Sequence, residues 1–234
     1  MNRAVLSSGA TVQVVGAVRG LYAEAGAVAR ALDEFRPTAL GLGISSEELR
    51  SFSDHFLGTE QEPVIPLTST ELAEIRGLAR FGEVRVPNPA LIAAMEWGRA
   101  HDVRTEALDP SDDRYATMFA DTISYVELVR RTVRERKLTR RPPTAATPDD
   151  YALAWDQFTA GGRDSRRFAY QRDGVVVEGI LQLAERAPRV SVVVDRERFS
   201  RVVEMLGQNP IPAPRPLPSS LPRGAPSGGS APPN

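Results

Sequence analysis

The stretch 11–50, TVQVVGAVRGLYAEAGAVARALDEFRPTALGLGISSEELR, constrains this chain most, because its apolar spacing changes character twice. Val12, Val14 and Val15 are β-branched and closely spaced, as in a buried strand. Gly16 and Gly20 bracket a tight turn. Leu21, Ala25, Val28, Ala29, Leu32 and Phe35 then recur at three- and four-residue steps, one face of an amphipathic helix. Pro37 cannot continue that helix, and 39–44 is apolar again. A β-α-β unit implies a parallel strand pair with a right-handed crossover. Ligands of open parallel sheets sit beyond the strand carboxyl ends, here Gly16–Gly20 and 43–46. The G-x-x-x-G turn has two readings: backbone N–H groups cradling a phosphate, or glycines that only make the turn tight. It lacks the lysine and Ser/Thr of a P-loop and is not G-x-G-x-x-G.

The remaining segments repeat the alternation. Short helices are expected from Ser46, carrying Leu49, Phe52 and Phe56, and from Ser69, carrying Leu72, Ile75 and Leu78. A connector lies at 63–66, and 83–86 reads as a short strand or an extended loop. Pro87-Asn88-Pro89 opens another helix, and 103–108 is a third strand. One long helix is expected over 112–138, with Tyr115, Phe119, Thr122, Val126, Val129 and Val133 on one face. Pro148-Asp149-Asp150 caps the next. A helix over 164–186 is expected despite Gly174 and Gly179, which cost about 1 kcal/mol each relative to alanine. Val190–Val194 is the clearest strand after the first, and 199–206 is the last helix. The fold class is therefore α/β: one domain over 1–207, with a mostly parallel sheet of four or five strands flanked by helices. Residues 208–234 are rich in proline, glycine and serine and are expected to form a disordered tail, read either as simply solvated or as taken by a proline-recognising protein partner.

Composition removes several chemistries. The chain has no cysteine, so no disulfide, thiolate metal site or cysteine nucleophile. His55 and His101 are its only histidines, too few for a three-histidine metal centre, and H-E-x-x-H is absent. Net charge is −1, so no overall field draws nucleic acid or membranes. The basic run 130–141 lacks interleaved aromatics, and it reads as a solvated helix face or as an anion patch. No apolar run approaches the ~20 residues that span a bilayer, and residues 1–10 lack the apolar core of a secretion signal. A soluble cytoplasmic protein without a cofactor is expected.

Two blocks carry a family likeness: VQVVGAVRGLYAEAGAVARALDEFRPTALGLGISSEELR and QRDGVVVEGILQLAERAPRVSVVVDRERFSRVVEML. They resemble the TraB/PrgY/GumN family, related in fold to ChaN-like and erythromycin-esterase-like proteins and the TIKI proteases. The first block is similar to that family's strand ending in G-x-x-H, its helix before a proline, and its second strand ending in glutamate. The second is similar to the family's E-R-D-x-x-M-A helix, followed by a strand with another G-x-x-H. At the first motif Gly16 is kept, but Arg19 replaces the histidine. Gly43 replaces the glutamate. At the second motif Asp195 and Arg198 replace glycine and histidine, and Gln171 replaces the helix acid beside Arg172 and Asp173.

The resemblance implies that the family's metal or acid–base groups are replaced. Arginine keeps its proton at neutral pH and is a poor metal ligand, but it holds carboxylates and phosphates bidentately. Gly16, Arg19, Gly20, Arg172, Asp195 and Arg198 are therefore the expected site of a small anionic ligand in a non-catalytic, regulatory domain. Two alternatives stand beside this. The arginines can pair internally with Asp195, Asp173 or Glu197. A metal-dependent hydrolase site can also be rebuilt from Asp109, Asp112, Asp113, Asp195 and His55.

Overall fold

The computed structural model describes residues 2–6, 9–56 and 67–208. Five strands form one sheet: β1 (Asn2–Val5), β2 (Thr11–Ala17), β3 (Ala39–Leu42), β4 (Thr105–Ala107) and β5 (Arg189–Asp195), in spatial order β1-β2-β5-β3-β4. The last four are mutually parallel, and β1 is an antiparallel edge on β2. The expected mostly parallel α/β sheet is thus observed. β5, last in the chain, lies between β2 and β3, pairing Thr11 with Arg189 on one side and Ala39 with Val190 on the other.

Strands buried on both faces read as continuous apolar runs, which is why β2 and β5 are valine-rich. Val12, Val14, Val190, Val192 and Val194 face α8 (Arg163–Arg186) and α9 (Arg196–Gln208), meeting Val176, Ile180, Leu183 and Val202. Val15, Ala17, Leu40, Leu42 and Val193 face α1 (Ala23–Phe35) and α4 (Pro89–Ala100), meeting Val28, Leu32, Leu91 and Ala94. Trp97 Nε1 donates to Asp33 Oδ1 at 2.7 Å and ties α4 to α1. Gln13 and Ser191 are the polar pair inside this sheet; the serine hydroxyl donates to Gln13 Oε1 at 3.1 Å. Helix α1 ends as Pro37 requires, with Arg36 left-handed at φ 52°.

A third cluster lies beyond the carboxyl end of β2. Val18 and Leu21 pack with Leu78 of α3 (Ser69–Leu78), Leu138 of α6 (Tyr125–Arg140), and Tyr151 and Trp155 of α7 (Pro148–Thr159). These helices stand over the strand ends and leave a polar cavity beneath. Gly77 gives the Tyr151 ring its place: a Cβ there would lie 1.9 Å from the Tyr151 hydroxyl.

Several expectations are corrected. The long helix over 112–138 is two helices, α5 (Asp112–Thr122) and α6, broken at Ile123 and Ser124. Ser124 is the N-cap of α6, accepting from the Glu127 N–H and donating to Asp164 Oδ2 at 2.6 Å. Tyr115 and Phe119 do pack, edge-on against Phe168. Val126, Val129 and Val133 are exposed, however, because Glu127 and Leu138 take the inward side of α6. Thr147, not Pro148-Asp149-Asp150, caps α7, and a complete capping box between Thr68 and Glu71 starts α3. The segment 83–86 contributes one isolated antiparallel bridge, Val84 to Leu21. Helix α2 (Ser46–Phe56) forms as expected, and α9 runs one residue past the 1–207 boundary. The connector 63–66, the side chain of His55 and the tail from 209 onward lie outside the described residues. No described helix is long and apolar enough to cross a membrane.

Candidate functional site

Three strand ends converge on one place because β2, β5 and β3 are parallel and adjacent. The turn after β2 presents Arg19. β5 ends at Asp195 and passes directly into α9, whose first turns carry Glu197, Arg198 and Arg201. The residues after β3 present Gly43, and Glu48 follows in α2. Asp109 follows β4 and is held in place by its N–H, which donates to the Ile44 carbonyl at 3.0 Å. Helix α8 brings Arg172 and Asp173 across from α9.

Most of these charges are consumed by one another. Arg198 donates through Nη1 and Nη2 to the two oxygens of Asp109 at 3.0 and 2.9 Å, and through Nε to Asp173 Oδ1 at 2.7 Å. Its Nη1 also donates to the Gly43 carbonyl at 3.2 Å. Arg172 donates from Nε to the same Asp109 carboxylate at 3.0 and 2.9 Å, with its Nη2 also bonded there, while its guanidinium carbon lies 5.3 Å from the Tyr115 ring centre. Arg201 reaches Asp173 Oδ2 at 2.7 Å and Asp156 at 3.4 Å. Asp109, Asp173 and Arg198 have side chains under 5% exposed. Three arginines and three aspartates thus form a closed, charge-matched lattice. Burial alone would lower the Arg198 pKa; Asp109 and Asp173 outweigh it and raise it. For Arg172 and Arg198 the internal-pairing alternative holds. One partner is Asp173, as expected; the other is Asp109 rather than Asp195 or Glu197.

Arg19 is different. It is exposed, and it makes no ion pair within 4.0 Å among the described residues. Asp195 is the charge that most raises its pKa, with Glu48, Glu74 and Glu197 adding to it. Burial raises the carboxyl of Glu48, takes Glu74 to about 7, and takes Glu197, further pushed by Asp195, to about 8. Burial likewise raises Asp156 against the pull of Arg201. Arg19 and Asp195 share with Arg172 and Arg198 the wall of an open, polar cavity of about 180 Å³. Four of the six expected site residues therefore meet in one pocket.

Gly16 and Gly20 do not line it. Gly16 is a packing position, since a Cβ would lie 2.8 Å from Phe199 Cβ. Gly20 has φ +83° and faces a second cavity, of about 300 Å³, whose wall includes Arg19 and Glu48 as well. The Gly20 N–H faces Asn88 Oδ1 at 3.5 Å, and just after the turn Leu21 donates to the Val18 carbonyl and Tyr22 to the Glu83 carbonyl. These bonds fit the tight-turn reading.

Asp109 is saturated by two arginines, and Asp112 and Asp113 occupy the first turn of α5 behind the Ser111 cap. Among the described residues, no three histidine or carboxylate side chains are grouped to hold a metal ion. Sequence reasoning missed Arg201, Asp156, Glu48 and Glu74. The Arg198/Arg201 spacing on one helix face, opposite consecutive Arg172-Asp173, was the available signal for the first.

The chain matches no protein-family model, no curated protein and no solved structure.

Proposed function

We propose that this chain is a non-catalytic binding domain that takes a small carboxylate-bearing ligand at the sheet's carboxyl ends, in a regulatory role. The observation that carries this reading is the contrast between Arg19, which has no ion-pair partner among the described residues and lies on the cavity wall, and the lattice that consumes Arg172, Arg198 and Arg201. A guanidinium with free donors in a partly enclosed pocket binds a carboxylate bidentately. A divergent relation to the TraB/PrgY/GumN group, resting on the two sequence blocks, supports the same location. Thermal-shift screening against small carboxylates tests it: stabilisation is expected and should vanish in Arg19→Ala. Turnover of ester, peptide or phosphate substrates that is lost on chelation would overturn the non-catalytic reading.

A second reading, a protein partner, is favoured by α6. Tyr125, Val126, Val129 and Val133 are 80%, 56%, 47% and 60% exposed, a stripe at helical spacing. Glu127 and Glu135 are taken by Arg134 and Arg131, whereas Arg130, Arg136, Lys137, Arg140 and Arg141 are exposed around the stripe. An acidic amphipathic helix is the complement of such a face. An acidic amphipathic peptide should bind the chain but not the Val129→Asp/Val133→Asp variant.

A further inference from the structure

Resting on that reading of Arg19, we propose that the ligand is a free hydrophobic α-amino acid, its zwitterion held between Arg19 and the Glu48 and Asp195 carboxylates and its side chain seated in the adjoining apolar cavity. Arg19 and Glu48 are the shared wall of two cavities of opposite character. On the strand-end side, Asp195 and Glu197 accompany them. On the other side lie Phe52, Ile75, Leu78, Val86 and Pro87, with Glu71, Glu74 and Arg85 also on the wall. A ligand spanning both needs a charged head and an apolar arm.

The head must carry both signs. A simple anion at Arg19 meets Asp195 and Glu48 on the same cavity wall. Like charge there opposes its binding. A simple cation would leave the Arg19 donors unanswered and add repulsion. An α-ammonium beside an α-carboxylate answers both, because one carbon atom separates the two charges. The chain supplies a bidentate donor for the carboxylate and a choice of acceptors for the ammonium. Glu48, on the shared wall, has lost hydration on burial, and a bound ammonium compensates that loss. The head-group cavity, about 180 Å³, is below the ~300–1,000 Å³ of drug-sized ligand sites, so the polar part of the ligand is small. The apolar cavity, about 300 Å³, has room for a leucine-, methionine- or phenylalanine-sized arm.

Isothermal titration of the full chain separates the alternatives, with L-leucine, L-methionine and L-phenylalanine set against N-acetyl-L-leucine, L-leucinamide, glycine and octanoate. The amino acids with large apolar arms should bind. Removing the ammonium, the carboxylate or the arm should each weaken affinity at least tenfold. Arg19→Gln and Glu48→Gln should each lose binding while melting like the parent chain, which a merely structural role would not produce. If N-acetyl-L-leucine or octanoate binds as well as L-leucine and depends on Arg19, the amino-acid inference is overturned while the carboxylate reading stands. If L-leucinamide binds independently of Arg19, or no carboxylate compound binds, both are overturned.

Discussion

Arg198 and Asp109 face each other fork to fork, two parallel N–H···O bonds at 3.0 and 2.9 Å with both side chains almost fully buried. Removing one partner of such a pair leaves an uncompensated buried charge. Arg198→Ala should therefore cost about 3–5 kcal/mol in urea denaturation. Arg198→Lys should recover little, because a single ammonium cannot span both Asp109 oxygens and Asp173. Arg172→Ala, at the more exposed end of the same lattice, should cost about 1 kcal/mol. A cost below 1 kcal/mol for Arg198→Ala would mean that the lattice is not formed in solution.

Gly16 holds α9 close to the sheet. A methyl group there would press on Phe199 Cβ, which is fixed to the helix backbone. Gly16→Ala should cost about 1–3 kcal/mol by overpacking. A Phe199→Leu background keeps the same Cβ and Cγ and should recover little of that loss. Thermal melts of the single and double variants check the coupling.

Tyr151 is fully buried, and its hydroxyl has no hydrogen-bond partner among the described residues. Burial pushes its pKa up to about 12. Tyr151→Phe removes an unsatisfied polar group and keeps the ring against Phe81 and Trp155. The variant should be more stable by about 1 kcal/mol. A loss of similar size would show that the hydroxyl is bonded.

Stability should fall as pH rises across neutrality. Burial raises Glu74 from 4.5 to about 7 and Glu197 to about 8. The folded state then binds more protons than the unfolded chain between pH 4.5 and these values. The stability they contribute is complete below pH 4.5 and is lost as pH climbs through 7 and 8. Glu74→Gln should be more stable than the parent at pH 8 by on the order of 1–2 kcal/mol, and equal to it near pH 4.5. Parallel melting curves over that range would contradict the assignment.

The elements flanking the sheet were legible because buried parallel strands advertise themselves as valine runs and α1 stops at a proline. The α5–α6 break was not. Ile123-Ser124 contains neither glycine nor proline, and the Asp164 that secures Ser124 lies 40 positions away. At the site, parallel topology brought Arg19, Asp195 and Arg198 together, as strand-end reasoning expects, and α8 added Arg172. Which carboxylate each arginine takes was not readable. Asp109 owes its position to a backbone bond with Ile44, a contact made only once β3 and β4 are side by side. Arg19 and Arg198 looked equivalent as replacements of histidine. Helix α8 makes them different by carrying Asp173 to one and not the other.

The place of β5 in the sheet has a consequence for the order of assembly. Neither β2 nor β3 pairs with the other; each pairs with β5, which follows them by well over a hundred residues. Until Arg189–Asp195 arrives, the earlier strands have an open slot and no mutual register. The same strand delivers α9, so closing the sheet and placing Arg198 against Asp109 are one event. Contacts this distant in sequence slow folding. A fragment ending before Arg189 should stay collapsed but unregistered, and adding the 189–208 segment in trans should complete it as a clasp completes a chain.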